Sequence, residues 1–179
     1  MKALLIVDVQ NDFCTGGALA TRGGEEVAPV INNIADKFDL VVASKDWHPE
    51  ETVHFEKWPV HCVAGTYGAE FHAELNSKII DQVVEKGTAN VDDGYSAFEA
   101  TNLDLVQFLK SKEIDTVYVC GIATDYCVLS SALDAQKHGF KTVVIKDAIR
   151  AVNLKEGDGD RAIEQMKEAG CEVVHSNQI

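Results

Sequence analysis

Apolar residues along the chain gather into short, nearly unbroken runs: ALLIV at 3–7, LVVAS at 40–44, IIDQVVEK at 79–86, TVYVCGI at 116–122, KTVVIKDA at 141–148 and CEVVHS at 171–176. The runs are rich in β-branched residues and do not alternate with polar ones. That pattern predicts strands of a parallel sheet covered on both faces. Between them the spacing turns helical. Residues 25–37 carry apolar side chains at 27, 30, 31 and 34, and residues 102–110 carry them at 103, 105, 106 and 109. Helices are also expected over 125–138 and 158–169, with Gly139 and Gly170 placed to end them. Six strands alternating with helices predict a three-layer α/β/α sandwich on a central six-stranded, mostly parallel sheet.

Two segments break the rhythm, 46–78 and 87–100, and each follows a strand directly. Long irregular segments in a compact domain tend to carry function. No repeat, low-complexity tract or linker divides the chain, so one domain over 1–179 is expected. Ligands of open parallel sheets bind beyond the carboxyl ends of the strands. The residues there are Asp8, Asp46 and its histidine-rich continuation, Lys86, and the stretch GIATDYC. A dinucleotide site is disfavoured, because DVQNDFCTGG lacks G-x-G-x-x-G and no phosphate-binding G-x-x-x-x-G-K-[ST] occurs.

Composition narrows the function classes. A net charge of −13 on 179 residues argues against nucleic acid as a partner. No apolar run approaches the roughly 20 residues that span a bilayer, so a membrane is not expected as a partner either. The start, MKALLIVDVQNDF, reads as a buried strand and not as a signal peptide. Five widely spread cysteines suggest free thiols in a reducing cytoplasm. The expected partner is a small molecule, with a monomer and a homo-oligomer both open.

One of those thiols stands apart. Cys127 follows the strand at 116–122 and opens a helical pattern, with Thr124 as a plausible N-cap. Helix-start N–H groups would lower its pKa, although a small buried packing role is the ordinary fate of a cysteine. Asp8 and Lys86 also end strands; taken alone they could be a turn cap and a surface lysine. Together the three supply a nucleophile, a base and a cation, which suits acyl transfer. Asp46, His48, His54 and His61 form a separate N/O group whose spacing fits no helical face. It could be a set of loop histidines or an open site for Zn²⁺, Fe²⁺ or Mn²⁺.

Several stretches carry a family resemblance: ALLIVDVQNDFCTGGAL at 3–19, ASKDWH at 43–48, WPVHCVAGTYGAEFH at 58–72, Lys86-Gly87 with YSAF at 95–98, and GIATDYCV at 121–128. In this order, over nearly the whole chain, they resemble the nicotinamidase/pyrazinamidase family of isochorismatase-like cysteine hydrolases. The resemblance implies a Rossmann-like isochorismatase fold with a metal-binding segment at about 46–72. It implies hydrolysis of nicotinamide to nicotinate and ammonia, in NAD salvage, through a thioester on Cys127, with pyrazinamide as a further substrate. Asp8 would act as base and Lys86 would orient it, while the backbone N–H groups of Ala123 and Cys127 would form the oxyanion hole, with a cis bond at Ile122–Ala123. Asp46, His48, His54 and His61 would hold one divalent ion, zinc foremost. Phe13, Trp58, Tyr95, Ile122 and Ala123 would contact the substrate. Tyr126 departs from members that carry histidine there, and the segment between His48 and His61 is short. The remaining alternative is a related hydrolase of another amide or an isochorismate-like substrate; a non-catalytic metal-binding domain would leave the triad unexplained.

Overall fold

The computed structural model describes residues 1–179. Six strands form one sheet: β1 (Lys2–Val7), β2 (Leu40–Asp46), β3 (Gln82–Lys86), β4 (Thr116–Ile122), β5 (Lys141–Arg150) and β6 (Glu172–Val174). Their order is β3-β2-β1-β4-β5-β6, and every pairing is parallel. The sheet is therefore wholly, not mostly, parallel. Strand order reverses direction at the β1–β4 junction, which opens the crevice where such sheets take ligands.

The unbroken apolar runs have a direct cause. In β1 and β2, residues 3–7 and 40–46 are all buried, because both sheet faces are covered. Successive side chains point to opposite faces. Leu4, Ile6, Val41 and Ala43 meet α1 (Val27–Ile34), whereas Ala3, Leu5, Val42 and Val119 meet the other helical layer. That second layer contains α2 (Leu105–Ser111), α3 (Leu129–Lys137) and α4 (Asp158–Glu168), which contribute Leu105, Leu109, Ala132 and Met166 to the core. On the α1 face, Cys62, Ala69 and Leu75 from the irregular segment complete the cover. Part of one layer is thus loop and not helix.

Several boundaries differ from the sequence reading. The run at 79–86 becomes strand only from Gln82, because Ser77–Ile79 forms a tight turn capped by the Asn76 side chain. The helix expected at 102–110 begins at Leu105, where Asp104 accepts from Gln107 N. Residues 25–37 contain eight residues of α-helix flanked by tighter turns. Thr124 does not act as an N-cap. Ala123 takes that position with no side-chain bond, and Thr124–Val128 forms a wide turn closed by Val128 N donating to Ala123 O at 3.1 Å. Such wide turns recur at functional sites.

Gly121 fixes how β4 delivers this turn. It sits at φ +112, opposite Val7 of β1, and a Cβ there would collide with the Val7 main chain. Only glycine lets the two central strands close at the point where both carry site residues. Gly121→Ala is expected to cost at least about 2 kcal/mol and lower Tm by roughly 4–8 °C. Thermal unfolding of the variant checks this, and an unchanged Tm would contradict the close-approach argument.

Candidate active site

β1, β2, β3 and the wide turn after β4 bring Asp8, Asp46, Lys86 and Cys127 to one place. Lys86 is completely buried, so the surface-lysine reading is wrong. Its Nζ lies 2.7 Å from Asp8 Oδ2, donates to Gly94 O at 2.6 Å, and is in closer contact still with Asp46 Oδ1. Cys127 Sγ is 3.6 Å away. β3 is separated from β1 by β2, a span of two strand spacings of about 4.8 Å each. The lysine stem covers part of it, and Asp8 covers the rest. Asp8 adopts φ 49 just past the strand, which turns the chain at the carboxyl end of β1.

The two carboxylates flanking Lys86 are unequal. Asp8 Oδ1 accepts from Ser44 Oγ at 2.6 Å, while Oδ2, despite its ion pair with Lys86, has no aligned hydrogen-bond donor. Burial pushes the Asp8 carboxyl up, and this outweighs the attraction of Lys86. Burial also acts on Asp46, but the attraction of the Lys86 ammonium overcomes it and holds Asp46 well below the usual carboxylate range. Desolvation would push the Lys86 ammonium down, but Asp46 and Asp8 hold it well above an ordinary lysine. Asp46 therefore balances the lysine, and Asp8 is the more basic carboxylate, with an oxygen left to take a proton.

Cys127 does not behave as the helix-start expectation requires. Burial pushes its thiol well above the ordinary value, aided by Asp8 and Asp46 and opposed by Lys86. Burial thus favours a neutral thiol beside an aspartate over a preformed thiolate. Cys127 is nonetheless the one cysteine that keeps some exposure. Cys14, Cys62, Cys120 and Cys171 sit in the core, and desolvation pushes Cys14 up to about 12.

Local sequence explains how the histidines converge. Gln10 is buried and grips Asp46 from both sides: it donates to Asp46 O at 2.8 Å and accepts from Asp46 N at 2.9 Å. The chain after β2 then runs beside Val63, with His48 N donating to Cys62 O at 3.0 Å. Thr52 caps a short turn, Val53–Glu56, which presents His54. Gly87, at φ +64, leaves room for the His48 ring, since a Cβ there would lie 2.5 Å from His48 Cε1.

The three rings present one chemical face. His48 Nδ1 donates to Gly87 O at 2.8 Å, His61 Nδ1 to Pro59 O at 2.6 Å, and His54 Nδ1 to the Asp92 carboxylate at 2.9 Å. All three partners are pure acceptors, so each Nδ1 bears a proton, an arrangement that in a neutral imidazole leaves the Nε2 lone pair bare. Burial lowers the His54 pKa and so favours its neutral form. Ligating nitrogens of the three rings lie within 4.8 Å of one another. Asp46 Oδ2 stands 3.4 Å from His48 Nε2 and 3.7 Å from His61 Nε2, and His48 Nε2 is buried with no hydrogen-bond partner. Lone pairs facing one another in a buried place lack the positive charge that would make them compatible. The donor set fits a divalent cation.

Beside these groups lies a pocket enclosing about 490 Å³ of empty space, solvent at its mouth included. Cys127, Ala123 and Ile122 form its floor, and Asp46, His54 and His61 line it too. Phe13, Trp58 and Tyr95 line it as well, so all three aromatic candidates meet here. Asp8, Lys86 and His48 lie behind this surface. The Ile122–Ala123 peptide is cis. Tyr126, singled out in the sequence as a departure from the family, lines the wall, whereas sequence reasoning missed Leu19, Thr21 and Val152 beside it, Gly94 O on Lys86, Ser44 on Asp8, and Asp92 on His54. Tyr126 packs edge-on against Trp58 with ring centroids 5.0 Å apart. His72, His138 and His175 are not part of the cluster.

Comparisons with known proteins agree with this arrangement. The isochorismatase domain family matches residues 2–178. The nicotinamidase of Acinetobacter baylyi is 38% identical over 201 residues, which cover 99% of this chain and 94% of that protein. Among solved structures, the pyrazinamidase of Pyrococcus horikoshii in complex with zinc has a TM-score of 0.88 at 41% identity, covering 97% of this chain and 98% of that one. PnC1 from L. infantum in complex with nicotinate has a TM-score of 0.92 at 37% identity, covering 99% and 93%. The match across nearly every residue, with a fold to correspond, means that the chain belongs to the isochorismatase domain family.

Proposed function

We propose that this protein is a nicotinamidase, hydrolysing nicotinamide to nicotinate and ammonia through a thioester on Cys127. The observation that carries the reading is one pocket in which a cysteine backed by Asp8 and Lys86 faces a histidine cluster, with His54 and His61 in the lining and His48 behind them, between aromatic walls. A flat heteroaromatic amide has one feature for each part. Phe13, Trp58 and Tyr95 take the ring faces, and Cys127 takes the carboxamide carbon.

Asp8 removes the thiol proton as Sγ attacks that carbon, and Lys86 stabilises the charge left between them. The backbone N–H groups of Ala123 and Cys127 receive the tetrahedral oxyanion. Asp8 returns the proton to the amide nitrogen, the C–N bond breaks and ammonia leaves. Water then attacks the thioester, giving its proton to Asp8. Collapse releases the acid, and the thiol is restored. Asp46, His48, His54 and His61 would hold the divalent ion, zinc on this reading, which when bound supplies a Lewis-acidic partner for the ring nitrogen and so orients the amide. Pyrazinamide presents the same amide on a similar ring and is accepted on the same grounds. The unpaired thiols suit a reducing cytoplasm, where the product nicotinate would feed NAD salvage.

Ammonia release from nicotinamide by the zinc-loaded protein is the expected outcome, and its absence would sink the reading. Cys127→Ala should reduce turnover by about 10⁴-fold or more; a wild-type rate in that variant would overturn the mechanism. His54→Ala and His61→Ala should each retain less zinc after dialysis than the wild type, and equal content would remove them as ligands.

The raised thiol gives a pH prediction with a definite sign. The thiolate of the substrate-free protein grows only as pH climbs past the ordinary thiol value of about 8.5. Alkylation of Cys127 by iodoacetamide, mapped by peptide mass, should be slow at neutral pH and accelerate through the alkaline range. A rate already at its plateau near pH 6 would contradict the neutral resting thiol.

A further inference from the structure

We propose that Asp92 is a positioning residue that joins the metal site to the aromatic wall, so that one carboxylate sets both metal affinity and the grip on the ring. The ring-binding half rests on the nicotinamidase reading; the metal half does not.

Of the three ring N–H groups in the histidine cluster, two donate to main-chain carbonyls, Gly87 O and Pro59 O. Only His54 is held by a side chain, and that side chain is Asp92. A carboxylate bound to Nδ1–H fixes ring orientation and makes the opposite nitrogen a better donor to a cation, more so than a neutral carbonyl does. Among the three ligands, His54 is therefore the one whose metal-binding strength is set by a replaceable group.

The same oxygen has a second task. Tyr95 OH donates to Asp92 Oδ1 at 2.8 Å, and Trp58 Nε1 donates to Tyr95 OH at 3.1 Å. Lys57 Nζ stands 3.4 Å from both Asp92 Oδ2 and Tyr95 OH. Trp58, Tyr95 and His54 all line the pocket, while Asp92 does not reach it. Asp92 thus acts on the substrate only through others. A chain of bonds runs from the metal ligand through Asp92 and Tyr95 to Trp58. Movement of His54 on taking an ion would be felt at the wall, and the reverse holds with equal free energy.

A purely structural Asp92 would do no more than dock the 87–96 segment on the 50–61 segment. Docking has a separate support: Val53 N donates to the Asn90 side chain at 2.7 Å. The two roles can therefore be separated.

Zinc affinity, measured by competition with a chromophoric chelator, reads the metal half without substrate. Asp92→Ala should bind zinc about 10–100-fold more weakly. Asp92→Asn keeps an amide oxygen for His54 and should recover most of that loss. Tyr95→Phe should leave zinc affinity within about twofold and raise KM for nicotinamide several-fold, with a smaller change in kcat. Asn90→Ala should leave zinc affinity at the wild-type value. Wild-type zinc binding by Asp92→Ala would overturn the proposal, as would an equal loss in Asn90→Ala. Should nicotinamide prove not to be a substrate, the zinc measurements still decide the metal half.

Discussion

The site depends on one buried ammonium. Lys86 has no contact with solvent: its N–H donors go to Asp46, Gly94 O and Cys127 Sγ, and the Asp8 carboxylate adds a second ion pair at 2.7 Å. A charge of this kind survives burial only when fully paired, and removing either partner leaves an uncompensated ion in the interior. The requirement ties the ends of β1, β2 and β3 and the segment after β3 to a common point. Cys127 and the histidine cluster are then arranged around that point.

From Lys86 the site divides in two. Asp46 has one oxygen on the lysine and the other towards His48 and His61, so it belongs to both halves. Asp8 turns the opposite way, to Ser44 and Cys127. Environment separates two otherwise identical carboxylates: one stays firmly ionised as a structural anion, and the other becomes basic enough to exchange a proton. This is the usual route by which carboxyl groups in one cleft take different chemical roles. It also explains why a neutral thiol is sufficient. On the proposed mechanism, a carboxylate with an open oxygen beside Cys127 removes the need for a standing thiolate.

Much of this can be read from the sequence, for physical reasons particular to each element. The six strands declare themselves because both sheet faces are covered, which forces continuous apolar runs such as ALLIV at 3–7. Placement of Asp8, Asp46, Lys86 and the Cys127 turn follows from the rule that binding groups gather at the carboxyl ends of strands. What stays hidden depends on tertiary distance. Spacing gives no sign that Lys86 crosses β2 to reach Asp8, since that depends on the left-handed turn at Asp8. The thiol departs from its helix-start expectation because its helix opens with a wide turn, and burial beside two carboxylates outweighs any helix-end effect. Asp92 gives no signal in a loop where acidic residues are common; its partners, His54 and Tyr95, are 38 and 3 residues away.

The central claim is covalent: Cys127 carries the acyl group between two half-reactions. The most direct measurement mixes zinc-loaded protein with saturating nicotinamide, quenches in acid within the first turnover, and maps peptide masses. One nicotinoyl group on the peptide containing Cys127, lost on treatment with hydroxylamine, is the expected result. Ammonia released in that first turnover with no acyl group on Cys127, or with the group on another residue, would contradict it.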